Sequence, residues 1–165
     1  MIEFIFTLDY EIYGNGSGSL QDLVLDPTQR LAEIFEEFDA PIVIFAEAVE
    51  FPKIEEAQSD PGSFGVRDQL RRLRAGGHEI ALHLHPWWAN ARFEDGFWKL
   101  DWSERNLGAL EEKRVEEIVS NAIEYLRKAL NDPSFTPVAF RSGLWAMQPT
   151  SAIATVAGIR RTTCA

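Results

Sequence analysis

Four apolar stretches of the chain end in residues that can bind a metal or move a proton. Carboxylates and imidazoles are the usual oxygen and nitrogen ligands of borderline divalent cations, and a nearby guanidinium keeps a carboxylate ionised. A bound cation can polarise an amide carbonyl and lower the pKa of the attacking water. These residue types therefore predict a metal-dependent hydrolytic site. The residues in question are Asp9, Glu11, Glu47, His83, His85 and Arg141.

Alternation within the stretches places the polar residues on one face, because residues two apart on a β-strand share a face. The faces predicted to be polar hold Thr7, Asp9 and Glu11 in the first stretch, Ala81, His83 and His85 in the third, and Ala139 and Arg141 in the fourth. The opposite, apolar faces hold Ile2, Phe4, Phe6 and Leu8, then Ile80, Leu82 and Leu84, and then Val138 and Phe140. His78 falls opposite the other two histidines and is predicted to be structural.

This arrangement allows roles to be assigned. Two imidazoles at i and i+2 of a strand end point the same way, so His83 and His85 can converge on one ion with Glu11. Three protein ligands leave a position open for water, as catalytic zinc sites require. Asp9 lies on the same face as Glu11 and is the candidate general base for the water.

The elements that must position these residues alternate between strand and helix. Such a βαβαβαβαβ order predicts a parallel α/β sheet or an incomplete (β/α) barrel, whose site lies at the carboxyl ends of the strands. Strands are predicted over about 2–9, 42–47, 78–85, 137–141 and, weakly, 159–163. Helices are predicted to begin at Asp26-Pro27, to cover about 66–75 and about 110–130, and to follow Pro149. The first of them has an inward stripe of Leu31, Ile34, Phe35 and Phe38. An aromatic insertion lies at 86–108.

Composition sets limits on the partners. We expect one domain over residues 1–165, which is too short for a complete eight-unit barrel of about 250 residues. The 26 acidic and 16 basic residues give a net charge of −10, which disfavours nucleic acid and anionic membranes. No apolar run approaches the roughly 20 residues of a membrane span, and no apolar leader follows Met1, so we expect a cytoplasmic protein. The single Cys164 excludes an internal disulfide framework.

The chain resembles the polysaccharide deacetylase family of metal-dependent carbohydrate esterases. T-L-D-Y-E at 7–11 is similar to the family's first motif, G-H-E-I-A-L-H-L-H-P at 77–86 to its second, and F-R-S-G at 140–143 to its third. The order is the same, and the resemblance covers nearly the whole chain. It is closest to the branch associated with lipopolysaccharide and cell-surface glycan biosynthesis, in which D-x-E replaces paired aspartates.

The resemblance implies a distorted α/β barrel, a divalent metal that is usually zinc, and hydrolysis of N-acetyl groups on sugars. It also implies that Arg141 holds Asp9 in place. The family's later motifs, including the histidine that acts as general acid, have no counterpart, so the chain is expected to be C-terminally truncated relative to the family. A homo-oligomer partner covering the open barrel edge is one expectation that follows.

Aromatic residues suggest how a sugar could be bound. All five tryptophans follow the third and fourth predicted strands, and indole faces stack well on sugar rings. We predict Trp87, Trp88, Trp145 and the strand-end Glu47 as substrate-binding residues. The alternative for the tryptophans is a local core that folds the long insertion on itself.

Two other functions remain open. A degenerate member would bind carbohydrate through the tryptophans without turnover. A metal-free glycoside hydrolase would use Asp9 or Glu11 with Glu47 as its carboxylate pair. The glycine-rich segment at 14–19 is a weak nucleotide-binding motif, because the next helix is predicted several residues later and the nearby carboxylates would repel phosphate.

Overall fold

The computed structural model describes residues 2–12, 16–145 and 161–162. Strands and helices alternate along most of the chain, and a short antiparallel hairpin interrupts the alternation. The strands are β1 (Phe6–Tyr10), β2 (Ile42–Glu47), β3 (Glu79–Leu84), β4 (Arg92–Glu94), β5 (Phe97–Lys99), β6 (Ala139–Ser142) and β7 (Arg161–Thr162). The helices are α1 (Asp26–Glu37), α2 (Glu50–Ala57), α3 (Ser63–Ala75) and α4 (Glu112–Leu130).

The main sheet is parallel, in the order β1-β2-β3-β6-β7, and its first four strands curl into a half-barrel. The predicted parallel α/β sheet is therefore confirmed, and its shape is compatible with an incomplete barrel. The register sets Glu47 beside His83 and His83 beside Arg141. Because parallel strands end at the same edge, three predicted site residues lie in one row across the sheet.

Two helices cover the outside of the sheet where the sequence predicts them. Helix α3 buries Val66, Leu70 and Leu73, and it ends at Gly76. Helix α4 buries a continuous apolar stripe and ends at Asn131, which adopts a left-handed conformation (φ 51°) that suits a C-terminal cap. The buried stripe of α4 consists of Val115, Ile118, Val119, Ala122, Ile123, Tyr125, Leu126, Ala129 and Leu130.

The first strand and the first helix differ from the prediction. Strand β1 begins only at Phe6, and Ile2, Phe4 and Ile5 are exposed, so the predicted strand over 2–9 is wrong at its start. A π-helical segment, Gln21–Leu25, runs directly into α1, so the helical region begins before Asp26-Pro27. Pro27 lacks the N–H that a regular helix would donate to residue 23, which favours irregular geometry there.

The apolar stripe predicted for α1 is confirmed in part, because Leu31 and Phe35 pack against the core and the other two members do not. Ile34 and Phe38 are exposed, whereas Thr28 and Ala32 are the buried residues of this helix. Phe35 instead meets Phe6 of β1, with ring centroids 4.9 Å apart. Val138, predicted to pack with Phe140, is also exposed. These corrections share a cause, because a local apolar pattern does not show which face the rest of the chain covers.

Helix α2 and the β4–β5 hairpin were not predicted. Pro52 obscures the start of α2 in the sequence, although proline is tolerated in the first turn of a helix. The hairpin folds part of the aromatic insertion on itself and pairs Phe93 with Trp98. The predicted helix after Pro149 lies outside the described residues. Within the described part of the chain, no helix has the length and apolarity to cross a bilayer.

Candidate metal centre

Three residues from two strand ends come together at the carboxyl edge of the sheet. Glu11 follows β1, His83 lies in β3, and His85 follows β3 directly. Each offers one ligand atom, and these atoms lie within 4.8 Å of one another. The structure thus brings together the three residues that the sequence nominated as metal ligands.

The spacing of these atoms suits a small divalent cation. Glu11 Oε2 lies 3.0 Å from His85 Nδ1 and 3.5 Å from His83 Nε2. Tetrahedral ligands at bond lengths of about 2.0–2.2 Å are separated by about 3.3–3.6 Å. The distance to His83 lies in that range and the distance to His85 is shorter, so the ligand atoms would have to move apart slightly around a zinc-sized ion.

A backbone contact defines the tautomer of His83. Its Nδ1 lies 2.8 Å from the carbonyl oxygen of Arg141, and a carbonyl only accepts, so Nδ1 carries the proton. In the neutral ring Nε2 then carries a lone pair, and this buried atom has no hydrogen-bond partner. A cation placed between this nitrogen and Glu11 Oε2, which lie 3.5 Å apart, would satisfy both atoms. A histidine whose second nitrogen is held by a carbonyl is the usual form of a metal ligand.

Glu47 orients the second histidine. Its Oε2 accepts from the backbone N–H of His85 at 3.2 Å and lies 3.3 Å from His85 Nδ1. Its Oε1 accepts from the N–H of Val49 at 2.8 Å. With 0% of its surface exposed, Glu47 is a buried support rather than the pocket-lining residue the sequence suggested. This burial also disfavours a glycosidase carboxylate pair that includes Glu47, because a sugar cannot reach it.

Charge coupling within the cluster changes two pKa values strongly. Burial alone would raise the pKa of Glu11, but its electrostatic interactions with His83 and His85 outweigh burial and lower it to about 2. Burial alone would lower the pKa of His85, but its interactions with Glu11 and Glu47 raise it to about 10. Without a metal, the proton on His85 therefore supplies the positive charge that the carboxylates require.

Asp9 and Arg141 form an ion pair beside the metal ligands. One guanidinium nitrogen of Arg141 donates to Asp9 Oδ1, and the other donates to Thr7 Oγ1 at 2.9 Å. The guanidinium also lies over the ring of Phe45, 4.0 Å from its centroid. Asp9 is thus held on the same face as Glu11, as the sequence predicted from alternation. Arg141 serves the site twice, through its side chain to Asp9 and through its carbonyl to His83.

Gly143 passes close to His85. A Cβ built on Gly143 would overlap the imidazole ring, 2.5 Å from Nε2. No side chain can occupy this position unless the ring moves. The next residue, Leu144, has a left-handed backbone (φ 56°), a conformation that leucine rarely adopts. The segment after β6 therefore packs against one side of His85.

Glu50 is a member of the cluster that was not predicted. It stands at the start of α2, and its Oε1 accepts from the N–H of Ile12 at 3.2 Å. Burial, followed by the charges of Glu47 and Glu11, raises its pKa well above the usual range. The spacing of Glu47 and Glu50 at the end of β2 is the sequence signal for this residue, but it indicates a shared cluster only when α2 is known to begin at Glu50.

The tryptophans take different positions. Trp87 is buried, and its ring lies 4.3 Å from that of His85 and 5.3 Å from that of Trp102. Trp88 is only 1% exposed and packs edge-on against Trp98, which places it in the core rather than on a substrate-binding wall. Trp102 is 55% exposed, and its ring is accessible near the site. The side chain of Trp145 lies outside the described residues.

His78 has a structural position, as the sequence predicted. It is buried at the start of β3, and its Nδ1 accepts from the N–H of Ile42 at 3.2 Å. The start of β3 is the opposite end of the strand from His83.

No protein-family model and no curated protein matches this chain.

Proposed function

We propose that this protein is a metal-dependent hydrolase that removes N-linked acetyl groups from a sugar or glycan. One observation carries the proposal. His83 Nε2, whose tautomer is set by the Arg141 carbonyl, faces Glu11 Oε2 across 3.5 Å with no hydrogen-bond partner. Two imidazoles and one carboxylate are a donor set that zinc favours, and they leave room for further ligands.

The chain's own residues supply the remaining chemistry. A divalent cation held by Glu11, His83 and His85 would provide electrophilic polarisation of the amide carbonyl and a lower pKa for the attacking water. Asp9 would accept the proton of that water as general base. The Arg141 guanidinium donates to Asp9 and fixes its direction. Glu47 and the Arg141 carbonyl hold the two imidazoles, so the ligands need little reorganisation.

Two features support a sugar as the substrate. Trp102 offers an exposed indole, and it packs on Trp87, which in turn packs on His85. A sugar stacked on Trp102 would thus lie close to the metal ligands. The resemblance of the three motifs to polysaccharide deacetylases supports the acetamide as the bond that is cleaved.

Zinc content tests the metal centre. Chelator-treated protein is dialysed against limiting zinc, and the bound metal is counted by plasma mass spectrometry. We expect at least one tightly bound zinc per chain in the wild type and its loss in His83→Ala. The matched control is His78→Gln, which alters a buried histidine away from the site and should retain the metal. A wild-type protein that binds no zinc would contradict the proposal.

A further inference from the structure

We propose that Glu11, Glu47 and Glu50 form a second divalent-cation site next to the first, with Glu11 shared between the two. The inference rests on the proposed function, because Glu11 is also a ligand of the first centre. It extends that function from a one-metal to a two-metal hydrolase.

The three carboxylates already have the spacing of a ligand set. Each offers one oxygen, and the three oxygens lie within 4.8 Å of one another. Glu47 and Glu50 are both 0% exposed, and Glu11 is mostly buried. Solvated carboxylates often cluster at a surface without binding a cation, whereas these three have been removed from water. Burying like charges at this spacing is unfavourable unless a proton or a bound cation compensates them.

An unpartnered oxygen points to a missing ligand. Glu50 Oε1 accepts from Ile12, but Glu50 Oε2 is buried and has no hydrogen-bond partner. A cation among the three oxygens would satisfy Oε2 and offset the repulsion between the carboxylates.

Apart from His85, the described part of the protein supplies no cationic side chain to these carboxylates. Among the described residues, no lysine or arginine nitrogen lies within 4.0 Å of a carboxylate oxygen of Glu47 or Glu50. The partners of Glu47 are backbone N–H groups and His85, and His85 is a ligand of the first centre. Once His85 binds a metal through Nδ1, this nitrogen can no longer donate a proton to Glu47.

The donor type indicates the class of cation. Three carboxylate oxygens suit hard ions such as Mg²⁺, Mn²⁺ or Ca²⁺, whereas the centre with two imidazoles suits zinc. In two-metal hydrolases the ions lie about 3.5–4 Å apart and are joined by shared ligands. Glu11 is placed for that role because it belongs to both groups.

A Mn²⁺ titration tests this site. Chelator-treated protein is first loaded with one equivalent of zinc, and free Mn²⁺ is then followed by its electron paramagnetic resonance signal as it is added. The variants are Glu50→Gln, which keeps the side-chain shape but removes the charge, and His83→Ala. Glu56→Gln is the matched control, because Glu56 lies on the same helix and is exposed to solvent.

We expect one zinc and one Mn²⁺ per wild-type chain, and the same in Glu56→Gln. Glu50→Gln should bind Mn²⁺ at least tenfold more weakly and keep its zinc, whereas His83→Ala should lose zinc and keep Mn²⁺. A wild type that binds zinc but no Mn²⁺, or a Glu50→Gln protein that binds both ions normally, would overturn the second site and leave the proposed function standing. A wild type that binds neither ion would overturn both.

Discussion

The carbonyl oxygen of Arg141 lies 2.8 Å from His83 Nδ1, while the guanidinium of the same arginine is bonded to Asp9. One residue of β6 thus sets the tautomer of a metal ligand and the position of the candidate base. The two roles use different atoms, so substitutions can separate them. A side-chain change at Arg141 removes the contact to Asp9 and leaves the backbone contact to His83.

Asp9→Asn tests the general base. Asparagine keeps the size of the side chain but cannot accept the water's proton, so we expect acetyl hydrolysis to fall by about 10²–10⁴-fold. Zinc content should be unchanged, because Asp9 is not among the three ligands. Loss of zinc together with activity would instead place Asp9 in the metal site.

Arg141→Lys tests the positioning of that base. Lysine keeps the positive charge but lacks the planar fork that bonds Asp9 and Thr7 together. We expect a lower kcat with little change in zinc affinity, since the carbonyl still holds His83. A displaced base would also alter the pH profile of kcat. If zinc affinity falls as steeply as kcat, the side chain supports the metal site as a whole.

Gly143→Ala tests the packing on His85. The added methyl group must displace the imidazole from its present position, so zinc affinity should fall by about 10–100-fold, as for other changes that disturb ligand orientation. Gly76→Ala is the control, because a Cβ there meets its nearest neighbour at 3.3 Å and the position is remote from the site. Competition with a fluorescent zinc chelator measures both affinities. Equal affinities would show that the segment after β6 moves away freely.

Zinc binding should release protons. The pKa of His85 is raised to about 10 in the metal-free protein, so the ring is protonated at pH 7 and must lose that proton to bind zinc. We expect affinity to rise by about tenfold per pH unit between pH 7 and 9. Calorimetry in buffers of different ionisation enthalpy counts the released protons. A heat that is independent of the buffer would contradict this account.

The stability of the metal-free protein should depend on pH in both directions. The raised pKa of His85 gives stability that is complete below its unfolded value of 6.5 and is lost as pH rises towards about 10. The lowered pKa of Glu11 gives stability that is complete above 4.5 and is lost as pH falls towards about 2. The ion pair therefore contributes most between pH 4.5 and 6.5.

Urea unfolding of the chelated protein at several pH values checks this window. His85→Gln should remove much of the decline in the free energy of unfolding above pH 6.5. The remaining decline comes in part from Glu50, whose raised pKa acts in the same direction above pH 4.5. If wild type and His85→Gln decline with the same slope, the imidazole is not the group that titrates.

Much of the site could be predicted from alternation alone. Asp9, Glu11, His83 and His85 share a face because they lie two apart on strand ends, and a parallel sheet brings such ends to one edge. The sequence could not supply the register that sets His83 beside Arg141, since that depends on long-range pairing. The contact of Nδ1 with the Arg141 carbonyl was therefore not predictable.

Other features were missed because local pattern does not show what is covered. Phe38 and Ile34 have helical spacing typical of a core stripe, yet they are exposed, and Thr28 is buried in their place. Glu50 has the composition of a solvated helix start, but the position of α2 brings its carboxylate into the cluster. In both cases the packing of distant parts of the chain, rather than the local pattern, decides which side chains are buried.

Acetate release should depend on zinc if this protein is a metal-dependent deacetylase. Chelator-treated protein is incubated with N-acetylated chitooligosaccharides, and free acetate is measured before and after one equivalent of zinc is added back, with His83→Ala in parallel. The account predicts no release without metal, release on adding zinc, and none in the variant. Acetate release that persists in the chelated protein, or none from zinc-loaded wild type across a panel of N-acetylated glycans, would contradict it.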